Sequence, residues 1–277
     1  MIFLGPAGVP LACKERSTAA GIRCVSELGL NAFECEFVRR VGMSNEAARE
    51  VGELAERLGV RMSVHCPYFV NLCSSDSEKL EASKRRILDS VERASFMRAD
   101  IAVFHPGFYG SLSKEEAHEA VKASCLDILD RMKSKGIRGV RLGLETTGKQ
   151  TAFGTLEEIV RICEEVKGCV PVVDWAHIYA RNAGKIDYAR IFDELGALKL
   201  KHLHTHFTGV EFTTVEDGKG NEKHHLEIRY EKPPFKPLAE EILRRKVDIT
   251  IISESPILEK DALEMKRVFE GLGYRFK

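Results

Sequence analysis

Short apolar runs alternate with longer amphipathic segments along the whole chain. The runs have the length and β-branched character of buried strands, and the amphipathic segments have the apolar spacing of helices that cover one side of a sheet. Strands are predicted at residues 2–5, 32–37, 61–65, 101–105, 141–146, 171–174, 198–206 and 248–253. This alternation of strand and helix predicts an α/β fold with a parallel sheet, a single TIM (β/α)8 barrel.

Amphipathic helices are predicted at residues 45–58, 77–97, 114–135, 156–166, 238–245 and 258–272. Ser44, Ser113 and Thr155 stand just before three of these helices, where a side-chain oxygen caps the first backbone N–H groups. Residues 209–237 have neither pattern and are predicted to be a long irregular segment, which in a compact barrel is usually functional. The chain contains no linker or low-complexity tract, so we predict one domain over residues 1–277.

Charge and cysteine content narrow the possible partners. Lys plus Arg and Asp plus Glu both number 42, so the formal net charge is zero and no overall basic field attracts nucleic acid or membrane. The apolar N-terminal stretch is too short to span a bilayer and lacks a basic segment before it, so we expect a cytoplasmic protein with no membrane partner. The eight cysteines include no C-x-x-C pair, and we expect them to be reduced and mostly buried.

Metal-ligand residue types cluster where the predicted strands end. In a TIM barrel the carboxyl ends of the strands line the active site. Six strands end in or run into such a residue: His65, His105, Glu145, Asp174, His206 and Glu254. Imidazole and carboxylate groups bind zinc, manganese or iron(II), and several carboxylates in one cleft need more than one cation. The pattern therefore predicts a site with two or three metal ions that activates a water for phosphoester hydrolysis.

Several motifs, in this order, resemble the endonuclease IV family, the metal-dependent apurinic/apyrimidinic endonucleases of family 2 within the xylose isomerase-like barrels. The resemblance covers roughly residues 1–270. The matching segments are His65-Cys-Pro-Tyr68-Phe-Val-Asn71-Leu72, His105-Pro-Gly107, Leu144-Glu145-Thr-Thr-Gly148, Asp174-Trp-Ala-His177, His204-Thr-His206-Phe-Thr-Gly, Glu222-Lys-His224-His225 and Glu254-Ser-Pro256.

The resemblance implies a role for each matching residue. Glu145 would bridge two metals, with His65 and His105 on the first. The second metal would be held by Asp174, His206 and Glu254, and the third by His177, Glu222 and His224. The ions implied are Zn²⁺, with Mn²⁺ accepted, and the catalytic residues implied are Glu145, Asp174 and Glu254. The substrate would be DNA containing abasic sites, contacted by Tyr68, Asn71 and Arg39, and we expect a monomer.

Two ligand positions stay open, and so does the reaction. His204 competes with His206, which is nearer the strand end, and a shift of one residue would replace His224 with His225. The family has Asp at the position of Glu222, and it has His-x-Asn-Asp where this chain has His-Phe-Thr-Gly. The first hypothesis is a DNA repair endonuclease that cuts 5′ to abasic sites through a metal-activated hydroxide. The alternatives are a metal-dependent sugar or sugar-phosphate isomerase or epimerase, and a barrel that binds without turnover.

Overall fold

The computed structural model describes residues 1–276. Its strands are β1 (Ile2–Pro6), β2 (Ala32–Glu36), β3 (Arg61–His65), β4 (Ile101–Phe104), β5 (Gly107–Phe108), β6 (Arg141–Glu145), β7 (Ala152–Phe153), β8 (Cys169–Asp174), β9 (Leu203–Phe207), β10 (Gly209–Val215), β11 (Lys219–Leu226) and β12 (Ile249–Ser253). Its helices are α1 (Thr18–Glu27), α2 (Asn45–Leu58), α3 (Ser77–Phe96), α4 (Lys114–Ser134), α5 (Leu156–Glu165), α6 (Trp175–Arg181), α7 (Tyr188–Gly196), α8 (Phe235–Arg245) and α9 (Glu259–Gly271).

Eight strands form one sheet in the order β1-β12-β9-β8-β6-β4-β3-β2. The strand pairs whose register is known, such as β1 with β12 and β4 with β6, are parallel. When the short strands β5 and β7 and the hairpin strands β10 and β11 are left out, strands that neighbour each other in this sheet also follow one another along the chain. The prediction of a (β/α)8 barrel is confirmed.

The described chain forms two compact units. Unit 1 comprises Met1–Phe33, Gly148–Gln150 and the described residues from Val173 onward, and unit 2 comprises Glu34–Thr147 and Thr151–Val172. Unit 1 contains β1, α1, helices α6 to α9 and strands β9 to β12, while unit 2 contains helices α2 to α5 and strands β3 to β7. The prediction of one domain over residues 1–277 stays a prediction, and its last residue lies outside the described part of the chain.

Local capping signals in the sequence match the helix boundaries. The Ser113 side chain accepts from Glu116 N, and the Thr155 side chain accepts from Glu158 N, each within a full capping box. Ser44 caps α2 through the backbone N–H of Ala47. Among the described helices, none is both long and apolar enough to cross a lipid bilayer.

The segment at residues 209–237 is more regular than predicted. Strands β10 and β11 form an antiparallel hairpin that begins directly after β9. Val210 and Phe212 alternate along β10 and pack against Ala176 and Ala180 of α6, which gives the hairpin an apolar face. Its turn contains Asp217 and Gly218, both with positive φ. The alternation and the Asp-Gly pair were the local signals for this hairpin, and the prediction of an irregular segment was wrong.

The strand that carries His204 and His206 begins later than predicted. It was predicted to start at residue 198, but β9 starts at Leu203. Lys199 has a φ of 48°, so the chain turns there after α7. Leu198 and Leu200, the apolar residues that extended the predicted strand, lie between the end of α7 and the start of β9.

Gly5 provides a test of the close contact between β1 and β2. A Cβ at Gly5 would overlap the backbone carbonyl of Ala32, which cannot rotate away as a side chain would. We expect Gly5→Ala to destabilise the protein by roughly 1–3 kcal/mol, as overpacked cores do. In a thermal melt this should lower the Tm by roughly 2–5 °C.

Gly42→Ala is the matched control, because a Cβ at Gly42 would have no neighbour within 4 Å. Its Tm should stay within about 1 °C of the wild-type value. Equal melting of all three proteins would contradict the assigned contact.

Candidate metal centres

The ends of β3, β4 and β6 bring two imidazoles to one carboxylate in unit 2. His65 ends β3, His105 follows β4, and Glu145 ends β6. The Nε2 atoms of His65 and His105 lie 3.1 Å and 2.9 Å from the same Oε2 atom of Glu145. We call these three residues the β3–β6 cluster. Its ligand atoms all lie within 4.8 Å of one another, a spacing that suits a single metal ion.

His65 is oriented by its own loop. Its Nδ1 lies 2.8 Å from the carbonyl oxygen of Cys66, which can only accept, so Nδ1 donates and Nε2 faces Glu145. This arrangement is the usual way in which a ligand imidazole is fixed for a metal. Burial opposes the charged form of His65, but Glu36, Glu145 and Glu34 outweigh it and raise the pKa of His65 to about 10. The local field therefore favours a cation at this position.

A second group lies at the ends of β8, β9 and β12, in unit 1. Asp174, His206 and Glu254 place ligand atoms within 4.8 Å of one another, and we call them the β8–β12 cluster. The His206 Nδ1 atom lies 3.2 Å from Glu254 Oε1. Asp174 is fully buried, and its Oδ1 atom caps α6 by accepting from the His177 backbone N–H at 2.7 Å.

The third group joins α6 to the hairpin. His177 Nε2 lies 3.2 Å from Glu222 Oε2, and His225 Nε2 lies 3.4 Å from Glu222 Oε1. We call His177, Glu222 and His225 the hairpin cluster. His225 Nδ1 donates to the backbone carbonyl of Glu254 at 3.0 Å, which leaves Nε2 directed at the cluster.

Opposite charges within the hairpin cluster shift its ionisation. Burial disfavours the charged form of His225, but Glu222, Glu254 and Asp174 outweigh it and raise its pKa to about 9. Burial also disfavours charged Glu222, yet its hydrogen bonds to His177 and His225 hold its pKa far below the usual range. Without a metal ion, a proton on His225 therefore offsets the charge of the partly buried Glu222 carboxylate.

The loop at Gly148–Gln150 holds the hairpin in place. The Gly148 carbonyl accepts from the Glu222 backbone N–H at 3.0 Å, and a Cβ at Gly148 would lie 2.6 Å from Glu222 Oε2. The Gln150 amide donates to the carbonyl oxygens of Arg181 and Gly220, at 2.8 Å and 2.9 Å. The Leu-Glu-Thr-Thr-Gly motif therefore needs its glycine to make room for the hairpin carboxylate.

The structure distinguishes the histidine alternatives. His225 belongs to the hairpin cluster, whereas His224 is exposed and pairs across the hairpin with Glu211. A register shift between Glu211 and Phe212 accompanies this arrangement, and a shift of that kind is invisible in sequence spacing. His206 lies beside Glu254, while His204 is buried with its ring centroid 5.5 Å from that of His206. We therefore move the proposed third-metal ligand from His224 to His225 and retain His206.

The predicted substrate residues lie on the loops of unit 2. Tyr68 is 54% exposed, with its ring centroid 5.5 Å from that of His65, and Arg39 is exposed. Asn71 differs from them, because its Oδ1 atom accepts from the backbone N–H groups of Cys73 and Phe108 at 3.0 Å and 3.2 Å. Asn71 thus joins two loops, and its contact with substrate stays a prediction, as do the roles of Tyr68 and Arg39.

Two charged residues beside the β3–β6 cluster were not among the predicted site residues. Glu34 and Glu36 lie on β2, and the Phe37 backbone N–H donates to His65 O at 3.0 Å, so β2 runs alongside β3. Glu34 is fully buried. The sequence does contain a signal for these two residues. Residues 33–37 alternate as Phe-Glu-Cys-Glu-Phe, which places two carboxylates in a strand whose interior positions in a barrel are normally apolar.

Comparison with known proteins gives the family and relatives of this chain, and a solved structure of the same fold. The model of the family described as xylose isomerase-like TIM barrel matches residues 22–271. The uncharacterized protein MJ0133 of Methanocaldococcus jannaschii is 32% identical over 280 residues, 98% of each chain. A probable endonuclease 4 of Mycoplasma mobile is 27% identical over 248 residues, 85% of this chain and 84% of its own. The solved structure of a D-tagatose 3-epimerase-like protein is 20% identical, with a TM-score of 0.71 and 96% of each chain covered.

Neighbouring histidines on β11 allow a matched test of the hairpin cluster. We expect His225→Asn to lower the zinc bound per chain by one ion, because the imidazole that completes the cluster is lost. His224→Asn, one residue away, should keep the wild-type zinc content. Elemental analysis of dialysed proteins measures both, and equal loss in the two variants would contradict the cluster.

Zinc binding to the hairpin cluster should depend on pH. The metal binds neutral imidazole, so the proton on His225, whose pKa is about 9, must leave on binding. The apparent affinity should rise about tenfold per pH unit from about pH 7 and level off above about pH 9. Competition with a chromophoric chelator measures this, and His225→Asn should lose that part of the slope. An affinity in the wild type that does not change between about pH 7 and about pH 9 would overturn the assignment.

Proposed function

Because the chain belongs to the xylose isomerase-like TIM barrel family, we propose that it is a metal-dependent hydrolase that cuts DNA on the 5′ side of abasic sites. The observation that carries the proposal is the number of histidine–carboxylate clusters. The described residues include the β3–β6 cluster and the hairpin cluster in addition to the β8–β12 cluster. A single-ion sugar isomerase needs about four ligands, so these additional sets are better explained by phosphodiester chemistry with several ions.

The donor atoms of all three clusters fit zinc or manganese. Each cluster offers imidazole nitrogen together with carboxylate oxygen, and the second nitrogen of His65 and of His225 is fixed by a backbone carbonyl. The proposed ligands are His65, His105, Glu145, Asp174, His177, His206, Glu222, His225 and Glu254. Bound ions would supply positive charge to stabilise a phosphodiester transition state. The bridging role of Glu145 remains part of the proposal.

The protein's own groups contribute orientation and charge. We assign the catalytic positions to Glu145, Asp174 and Glu254, because these carboxylates are mostly or fully buried and each lies beside an imidazole. Burial raises the cost of an unpaired charge, so these groups stay fixed in position rather than turning toward solvent. The relatives of this chain include a probable endonuclease 4 of Mycoplasma mobile and an apurinic-apyrimidinic endonuclease of Caenorhabditis elegans, and these support DNA as the substrate.

Substrate contact is proposed for the exposed loops of unit 2. Tyr68 and Phe69 are 54% and 65% exposed, and Phe108 is 50% exposed. Exposed aromatic rings provide faces on which unstacked bases can stack. Arg39 follows β2 in the neighbouring loop, and the Tyr68 backbone N–H donates to Val38 O at 3.3 Å, which joins the two loops. This local patch would supply the nucleic-acid contact that the zero net charge does not.

A second candidate function is a sugar epimerase, and one observation favours it. Glu34 and Glu36 add negative charge beside His65, as the raised pKa of His65 reflects. An anionic phosphodiester is repelled by such charge unless cations offset it, whereas the hydroxyl groups of a sugar can donate to carboxylates. A structural neighbour is a D-tagatose 3-epimerase-like protein.

Incision of abasic DNA by the wild type and by a Glu145→Gln variant tests the first of these functions. We expect wild-type protein to incise a duplex with one synthetic abasic site, and the variant to be slower by roughly two to three orders of magnitude. The substitution removes the carboxylate that both His65 and His105 contact, at nearly constant volume. Glu216→Gln on the exposed hairpin turn is the control and should retain activity.

Each sample is also tested for metal content and for interconversion of ketohexoses. Two or three ions per chain with incision lost in Glu145→Gln support the endonuclease. An intact duplex together with epimerisation by the wild type would establish the second candidate and reject the first.

A further inference from the structure

The Asn71 side chain connects the loop after β3 to the loop after β4. Its Oδ1 atom accepts from the backbone N–H of Cys73 at 3.0 Å and from that of Phe108 at 3.2 Å. Because both donors are backbone N–H groups, the side-chain atom that meets them is the carbonyl oxygen. The first bond closes a turn within one loop, as Asn and Asp side chains often do, and the second reaches the other loop. One oxygen atom therefore fixes two segments of backbone.

The backbone that follows His105 runs directly over Asn71. The Leu72 backbone N–H donates to Pro106 O at 2.8 Å. The next residue, Gly107, has a φ of 132°, and a Cβ there would overlap Asn71 Oδ1 and lie 2.8 Å from Asn71 Cα. The His-Pro-Gly motif thus needs its glycine because Asn71 occupies the space that a side chain would take.

Asn71 is itself anchored to a helix. Its backbone N–H donates to the Ser83 hydroxyl at 3.1 Å, and that hydroxyl donates to Lys79 O at 2.8 Å. Ser83 and Lys79 both lie on α3, and Ser83 is buried. The connection therefore ties the segment after His105 to a regular element and not only to another loop.

The loop that follows β6 joins the same connection through the short strands β5 and β7. Gly107 of β5 pairs with Phe153 of β7. The Thr147 hydroxyl, two residues after Glu145, donates to Phe153 O at 3.2 Å. The segments that follow the three residues of the β3–β6 cluster are thus linked to one another within unit 2.

We propose that Asn71 is a positioning residue, which holds His105 beside Glu145 by fixing the backbone of residues 106–108 through its carbonyl oxygen. The His105 side chain is 37% exposed, against 3% for His65, so packing restrains it less and its position depends more on the backbone. This role differs from the substrate contact that the family resemblance implies for Asn71. The inference rests on the proposed function in taking the β3–β6 cluster as a metal site.

Hydrogen exchange tests the connection itself on the full-length protein. Asn71→Ala removes the acceptor, whereas Asn71→Asp keeps an oxygen for the same two N–H groups and loses only the amide donor. In peptides that contain Cys73 or Phe108, we expect exchange to be roughly five- to tenfold faster in Asn71→Ala. Exchange in Asn71→Asp should match the wild type, as it should in the control Asn182→Ala, at an exposed asparagine after α6.

Zinc affinity, measured by competition with a chromophoric chelator, tests the effect on His105. Asn71→Ala should weaken the binding of one ion by roughly tenfold, because a ligand loses its fixed position. Asn71→Asp should retain the wild-type affinity. In a His105→Asn background, Asn71→Ala should weaken zinc binding by less than about twofold, because the ligand that it positions is already absent. Equal weakening with and without His105 would overturn the proposal.

Incision of abasic DNA distinguishes positioning from substrate contact. A positioning role predicts that Asn71→Asp keeps its activity and that Asn71→Ala loses kcat by roughly 10- to 100-fold. An Asn71 amide that donates to DNA predicts that both variants lose activity, because a carboxylate repels the phosphate backbone. That result, with wild-type exchange and zinc affinity in Asn71→Asp, would reject the positioning role. If the wild type does not incise, the proposed function fails, and the exchange and zinc measurements still decide the role of Asn71.

Discussion

Charge compensation between buried carboxylates and imidazoles is the constraint on which the candidate site depends. Glu145 and Asp174 are fully buried, and a lone carboxylate in such a place would be strongly destabilising or would become protonated. His65 and His105 reach Glu145, and His177 Nδ1 lies 3.6 Å from Asp174 Oδ2. The cation that balances each carboxylate is either a proton on the imidazole or a metal ion. Because the same nitrogen and oxygen atoms would bind either the proton or the metal ion, the stability of the fold and the binding of metal depend on the same balance of charge.

The hairpin is the element that adapts a common barrel to this site. Its apolar face packs on α6, and its β11 strand carries Glu222 and His225 to His177. Gly148 leaves room for the Glu222 carboxylate, and the Gln150 amide connects the hairpin to the end of α6. A metal ion in the hairpin cluster would therefore also fasten the hairpin. Metal content and local stability would then be coupled through the same residues.

The fold alone leaves two chemistries open, and the distribution of charge bears on both. The relatives of this chain include a probable endonuclease 4, and one solved protein of the same fold is a D-tagatose 3-epimerase-like protein. The additional histidine–carboxylate clusters favour several metal ions, whereas Glu34 and Glu36 add negative charge that an anionic substrate must overcome. Metal ions would reverse that sign locally. The number of bound ions is therefore the quantity that links the electrostatics of the site to its substrate.

The sequence by itself determined the barrel and the strand-end positions of the candidate ligands. Both follow from local rules. The spacing of apolar residues distinguishes strands from helices, and the carboxyl ends of parallel strands all lie at the same end of a barrel. Caps such as Ser113 and Thr155 were equally local. Tertiary structure decided the rest. A register shift in the hairpin places His225, and not His224, beside Glu222. The Asn71 side chain accepts hydrogen bonds from two backbone N–H groups. The tertiary structure also brought Glu34 and Glu36 beside His65. Each of these contacts depends on which segments lie close together in the folded chain, and the spacing of residues along the sequence does not reveal this.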